Sequence, residues 1–356
     1  MRRRSWLELC GALALGGCET PSPATPKLVS SGSSAPVSSA SVHAPALPFE
    51  LVDALPAFFS WFERYEHAPL EERVEGFVAE VVGKHPAVYA PNVIGLSGPD
   101  PKSALAARLR EWLPGIGARV PAMRAIHARF VEDATAAVSR FREVLPSFDW
   151  RGTSWLFASI DGMNGGVREV GGKSSLVFGV DVIAKQGSSM PLPVLFAHEL
   201  FHLHHASQQP DPGADQRIVD ALWFEGLATY ASTLIVPGTT DTQALPLSHV
   251  HKPDAPVLDD PARRVDLAQM SVELQRSLGA ELHAALESAD RDRYADFFLG
   301  RASPKLGGRP VRSGYWFGLM VARSLGKTKS LEGLAKADMK SLRPAIASEL
   351  LRLIGS

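Results

Sequence analysis

Apolar residues recur along this chain at two different periods, and the change of period divides it. From residue 49 to about 145 the steps are three and four residues. Leu51, Leu55, Phe58, Phe59 and Phe62 form one such run, and Val74, Phe77, Val78 and Val81 a second. Leu105, Leu109 and Leu113 mark a third helix, expected to stop near Pro114 and Gly115. Residues 123–145 make a long fourth, with Ile126, Phe130, Val138 and Phe141 on one side. At 153–160 the pattern turns extended and reads as a strand. A glycine-rich region, 161–172, reads as a turn, and 174–184 as a second strand. A polar break at 185–189 leads into an apolar helix over 191–205, and another apolar helix spans 219–232. Helical spacing returns at 265–286, 291–299, 312–323 and 342–354. The class that follows is α+β, predominantly helical with a small β-sheet.

With 356 residues, 45% of them hydrophobic, the chain is long enough for one large domain and a smaller helical part. A formal net charge of −1 provides no basic field, so nucleic acid is not an expected partner. No uncharged apolar run in the body of the chain reaches the ~18 residues of a membrane span. The first residues have the make-up of a targeting segment: three arginines behind Met1, then a short apolar stretch over 9–17. Leu15-Gly-Gly-Cys18 resembles a bacterial lipoprotein signal, in which the cysteine is lipidated and becomes the first residue. Glu8 and the two glycines depart from that pattern, and a plain secretory signal stays open. Cys10 and Cys18 are the only cysteines, so a chain beginning at Cys18 has no internal disulfide. Residues 19–48, rich in Ser, Pro and Ala, read as a tether of roughly 30 Å. The expected organisation is a signal over 1–18, the tether over 19–48, a helical scaffold over 49–150 and a catalytic domain over 151–356. Its expected location is the cell envelope, held to the membrane by lipid on Cys18, or otherwise secreted.

Residues 198–202 read His198-Glu199-Leu200-Phe201-His202. Positions i and i+4 of a helix lie about 40° apart around the axis and about 6 Å apart along it. The two imidazoles can therefore converge on one metal ion. Glu199, offset by about 100°, lies beside the open side of that ion, where a base for water is needed. This is the equipment of a zinc hydrolase. The flanks, Val194 to Ala197 with Leu200 and Phe201, are apolar almost all round, so the helix is expected to be buried and its polar residues need a reason to be there. A third ligand is required. Glu225, separated from His202 by 22 intervening residues, shares a helical face with Ala221, Leu222, Ala228 and Thr229, where an ionised carboxylate is costly unless a cation meets it. The small neighbours also admit a second helix. Asp211, Asp215 and Asp220 are rival ligands nearer a polar loop. His205 falls about 10 Å along the axis from His198, too far to join one tetrahedral site.

His198-Glu199-x-x-His202 followed by Glu225-Gly226-Leu227-Ala228 resembles the gluzincin metallopeptidases, the thermolysin-like branch of the zincins. The form with Tyr230 is most similar to bacterial zinc-dependent protease lipoproteins. The resemblance implies a zincin-like catalytic domain over 151–356 and one catalytic Zn²⁺ on His198, His202 and Glu225, with Glu199 as general base. It implies a peptide or protein substrate bound in extended form along an edge strand just ahead of the metal helix, the place of Leu176 to Val182. It further suggests a residue that steadies the oxyanion. Tyr315, opening an apolar helix after Gly314, is the candidate, with Tyr230 as a rival and Arg312 placed to assist or to bind a carboxylate. Thermolysin-like enzymes carry Asp one turn after the glutamate ligand, where this chain has Thr229, so the partner that supports a histidine is left unassigned. The metzincin pattern does not fit, because His205 stands where it needs Gly and Gln208 where it needs His. The expected function is zinc-dependent peptide hydrolysis. Hydrolysis of a non-peptide amide or ester, or a non-catalytic binding role in the envelope, stays open.

Overall fold

The computed structural model describes residues 47–187, 190–209, 217–250, 263–299 and 309–355. The signal over 1–18 with Cys18, the tether up to residue 46, and Asp211 and Asp215 lie outside the described residues.

The run that begins at Leu51 is strand before it is helix. Glu50–Asp53 (β1) pairs in parallel with Thr153–Phe157 (β2). Helix α1 (Leu55–Tyr65) starts only where Asp53 Oδ1 accepts the Leu55 N–H at 3.0 Å and a proline occupies the first turn. Leu51 and Leu55 are four apart by coincidence, and so short a strand offers no alternation to tell them apart. Then follow α2 (Leu70–Phe77), continued as a π turn over Val78–Val82, α3 (Pro91–Ile94), α4 (Pro101–Ile116) and α5 (Val120–Val144). Contrary to expectation, α4 runs through Pro114. The proline removes one hydrogen bond close to the helix end, and Leu113 and Ile116, both fully buried, keep the last turn in place.

The sheet corrects the sequence reading twice. Its order is β1-β2-β4-β3, where β3 is Gly165–Val170 and β4 is Lys173–Gly179. The first three strands are parallel and β3 is antiparallel to β4. Residues 161–172 are therefore not only a turn. They hold β3, which returns to β4 through Gly171 and Gly172, both at positive φ. Residues 174–184 are not one strand, because β4 ends at Gly179 and Val180–Gln186 is helix α6. Leu176 to Val182 is thus not the sheet edge: β4 is paired on both sides, and β3 is the edge nearest the next helix. Asp181 explains the break. Its buried carboxylate accepts the N–H of Ser159 (2.6 Å) and Asp161 (2.8 Å) and the Ser159 hydroxyl (2.9 Å), tying α6 to the β2–β3 connection.

Helices α7 (Leu192–Gln208) and α8 (Ile218–Ile235) are buried on nearly every side. Beyond them lie α9 (Asp241–Ala244), a two-stranded ribbon of β5 (Ser248–His249) and β6 (Arg264–Val265), α10 (Val272–Ala285), α11 (Arg291–Phe298), α12 (Ser313–Leu325), α13 (Leu331–Lys336) and α14 (Met339–Gly355). Helix α10 begins at Val272 rather than at Val265, because Val265 is in β6 and Ser271 caps the helix by accepting the Leu274 N–H. The architecture is α+β. One hydrophobic core runs from Phe49 to Leu350, and α7 lies inside it. On one side Phe196 stacks on Phe178 of β4, ring centroids 4.9 Å apart and nearly parallel. On the other side lies α8. Among the described residues no helix is long and apolar enough to cross a membrane.

Candidate metal centre

Helix α7 carries His198, Glu199 and His202, and α8 carries Glu225. Burial forces α7 to face the sheet with one side and α8 with another, so the side chains between them meet. His198 Nε2 and His202 Nε2 are each 3.4 Å from Glu225 Oε2, and the two ring nitrogens are 2.9 Å apart. Two ligands on a tetrahedral ion at the usual bond lengths of about 2.0–2.2 Å stand about 3.3–3.5 Å apart. The carboxylate-to-imidazole separations match that span. Glu225 Oε2, buried, has no hydrogen-bond partner, which is costly for a charged oxygen unless a cation satisfies it. Among the described residues these three form the one group of three or more His, Cys, Asp or Glu side chains whose ligand atoms all lie within 4.8 Å of one another. The donor set fits a divalent metal such as zinc.

The electrostatics agree with the geometry. Burial opposes ionisation of Glu225, but the adjacent imidazoles of His202 and His198 override it and hold the carboxyl well below the usual range. Burial likewise opposes a proton on His202, yet Glu225, joined by Glu199, raises its pKa above the ordinary imidazole value. The His202 ring stacks on Phe224 at 4.4 Å and 14°. Its Nδ1 has no hydrogen-bond partner among the described residues; the Phe224 stack and the Nε2 contact with His198 orient the ring. Thr229, where the resemblance expects Asp, turns its hydroxyl back to the Glu225 carbonyl at 2.8 Å and supports no histidine.

Glu199 is buried between α7 and the edge strand. A Cβ placed on Gly165 of β3 would stand 3.3 Å from Glu199 Cγ and 3.5 Å from its Oε1. The glycine that weakens β3 as a sequence signal is therefore what lets the strand lie against this carboxylate. Periodicity missed Gly165, and the Gly165-Gly166 pair was its only trace. Tyr315, in the first turn of α12, stands beside His198 with ring centroids 6.4 Å apart. Tyr230 does not. Its hydroxyl lies 2.6 Å from the Cβ position of Gly326, and Gly326 is about 16 Å along the α12 axis from Tyr315.

Among the described residues, Asp220, His204 and His205 are engaged elsewhere. Asp220 accepts the Arg217 N–H at the start of α8 and a two-pronged ion pair from Arg343 at 2.9 and 2.7 Å. His204 faces Phe141, Phe148 and Phe201, with Glu332 3.5 Å from its Nε2. His205 is buried against Phe201 and Phe224. Burial, with His202 and His204 adding to it, pushes its pKa down to about 3, so it is a neutral core side chain. Among the described residues three that are not glycine have positive φ: Ile160 and Asp161, in the β2–β3 connection, and Arg312, just ahead of α12. Such conformations cost on the order of 1–3 kcal/mol each and collect at functional sites.

Compared with protein-family models, with curated proteins and with solved structures, the chain has no match.

Proposed function

We propose that this chain is a zinc-dependent peptidase with a zincin-like arrangement of its metal helix. One observation carries the reading: two imidazoles from α7 and a buried carboxylate from α8 converge on one point, and the carboxylate of Glu199, also on α7, acts electrostatically on His202. His198, His202 and Glu225 would hold the ion. A divalent ion there supplies Lewis acidity, polarising a carbonyl and making water acidic enough to lose a proton near neutral pH. Glu199 takes that proton and delivers it to the leaving amine. The Tyr315 phenol donates to the oxygen that gains charge during attack. Among the described residues strand β3 pairs with the sheet on one side only and passes Glu199 at Gly165, the place where an extended peptide would bind by strand addition. Lipid attachment at Cys18 in the cell envelope belongs to the same proposal and is supported by the N-terminal sequence.

Glu199→Gln should retain one zinc per chain and lose peptide hydrolysis by on the order of 10²–10⁴-fold, while His202→Ala should lose both. Metal analysis by mass spectrometry alongside cleavage of a peptide library reads this out. Undiminished hydrolysis by Glu199→Gln, or purified protein that takes up no zinc, rules the reading out.

A further inference from the structure

Arg312 bears two burdens at one position. Its backbone is left-handed, at φ +59° and ψ 20°, a region an arginine seldom adopts. Neighbouring bonds keep it there. Ser248 Oγ donates to the Val311 carbonyl at 2.6 Å, the Val311 N–H donates to His249 O at 3.1 Å, and the Tyr315 N–H closes on Arg312 O at 3.2 Å. Its half-buried side chain donates from Nη1 to the Leu247 carbonyl at 3.0 Å. That partner is neutral. Burial lowers the side chain's pKa, and the charges that act on it in return are those of Tyr315 and Glu225. The Glu225 carboxylate already faces two imidazoles. A glycine here would relieve the strained backbone, so the backbone conformation gives no reason for an arginine. The position does give one: three residues before Tyr315, whose ring stands beside His198, with guanidinium N–H groups beyond the one bound to Leu247.

We propose that Arg312 is a specificity-determining residue that binds a substrate carboxylate close to the scissile bond. The proposal rests on the peptidase reading. A guanidinium presents paired donors that match a carboxylate. Two sources share that chemistry, the α-carboxylate of a chain end and an acidic side chain.

The test uses the full chain carrying Glu199→Gln, loaded with zinc and also metal-free, and isothermal titration with four probes. These are acetyl-Ala-Phe-Ala as the free acid and as its amide, and acetyl-Ala-Phe-Glu-amide beside acetyl-Ala-Phe-Gln-amide. We expect one acid form to bind about tenfold or more tightly than its neutral partner; the first pair winning identifies a chain end, the second an acidic side chain. Arg312→Gly should abolish the preference while keeping the zinc content and a melting temperature at least as high. A merely structural arginine would do the opposite, lowering the melting temperature and leaving the ratio alone. Equal binding within both pairs, or a preference that survives Arg312→Gly, overturns the proposal. If neutral and acidic peptides are also cleaved alike by the protein with Glu199 intact, only the role of Arg312 falls. If no peptide is bound or cleaved by zinc-loaded protein, the peptidase reading falls with it.

Discussion

A buried carboxylate such as Glu225 and a buried imidazole such as His202 each resist ionisation, and each supplies the charge the other requires. The consequence for stability has a definite sign. The pKa of His202 is raised above 6.5 in the folded protein, so its contribution is complete below that pH and is lost as pH climbs through the raised value. The pKa of Glu225 is lowered from 4.5, so its contribution is present above 4.5 and is lost only in stronger acid. The pair therefore favours the metal-free fold most between these two values. Zinc reverses the preference on the imidazole side, because it needs the ring nitrogens without protons. Metal-free protein should melt higher at pH 6 than at pH 9, and Glu225→Gln should shrink that difference. Zinc affinity should rise with pH as protons are released, measurable by titration in buffers of different ionisation enthalpy. At this scale the sequence was informative for His198, Glu199 and His202, whose relation is set by a single helical turn. It was poor for Gly165, whose importance lies in a side chain more than thirty residues away.

Helices α8 and α12 pack almost backbone to backbone. A Cβ on Gly226 would lie 2.3 Å from the Gly318 Cα, and one on Gly318 would lie 2.5 Å from the Leu222 carbonyl oxygen. The crossing brings the start of α12, with Arg312 and Tyr315, up to the helix that carries Glu225. Gly226→Ala should gain about 1 kcal/mol of helix propensity and lose more to the clash, because backbone atoms cannot rotate away as a side-chain tip can. A net loss of about 1–3 kcal/mol in urea unfolding is expected, together with weakened peptide cleavage as Tyr315 withdraws. The small residues around Glu225 did announce a close helix neighbour, although not which helix. The sheet was harder to read. Residues 174–184 keep their apolar character from β4 into α6, and only the Asp181 carboxylate, bound to the backbone of 159–161, marks where strand gives way to helix.

For the whole molecule, the candidate metal group spans two helices that belong to one continuous core. An ion that binds this arrangement, and binds the unfolded chain weakly, stabilises the fold by mass action, about 4 kcal/mol when free metal is a thousandfold above its dissociation constant. Chelation should therefore lower the melting temperature by several degrees, and zinc should restore it. His202→Ala should melt at the same temperature with and without zinc, as calorimetry would show. Strand β1 belongs to this scale too. It precedes the first helical block, yet it completes the sheet built by residues 153–179.

From the sequence alone came the α+β class, two helices buried on all sides, the i and i+4 histidines with a carboxylate between them, and Glu225 as the favoured third ligand. These are properties of neighbours along one helix or strand, where covalent geometry fixes the period. Tertiary structure decided the rest. It engaged Asp220 with Arg343 and left Glu225 facing the imidazoles. It set Tyr315 rather than Tyr230 beside His198, and made β3 rather than β4 the edge. Each of those outcomes depends on a contact between residues distant in the chain, and local periodicity carries no record of such contacts.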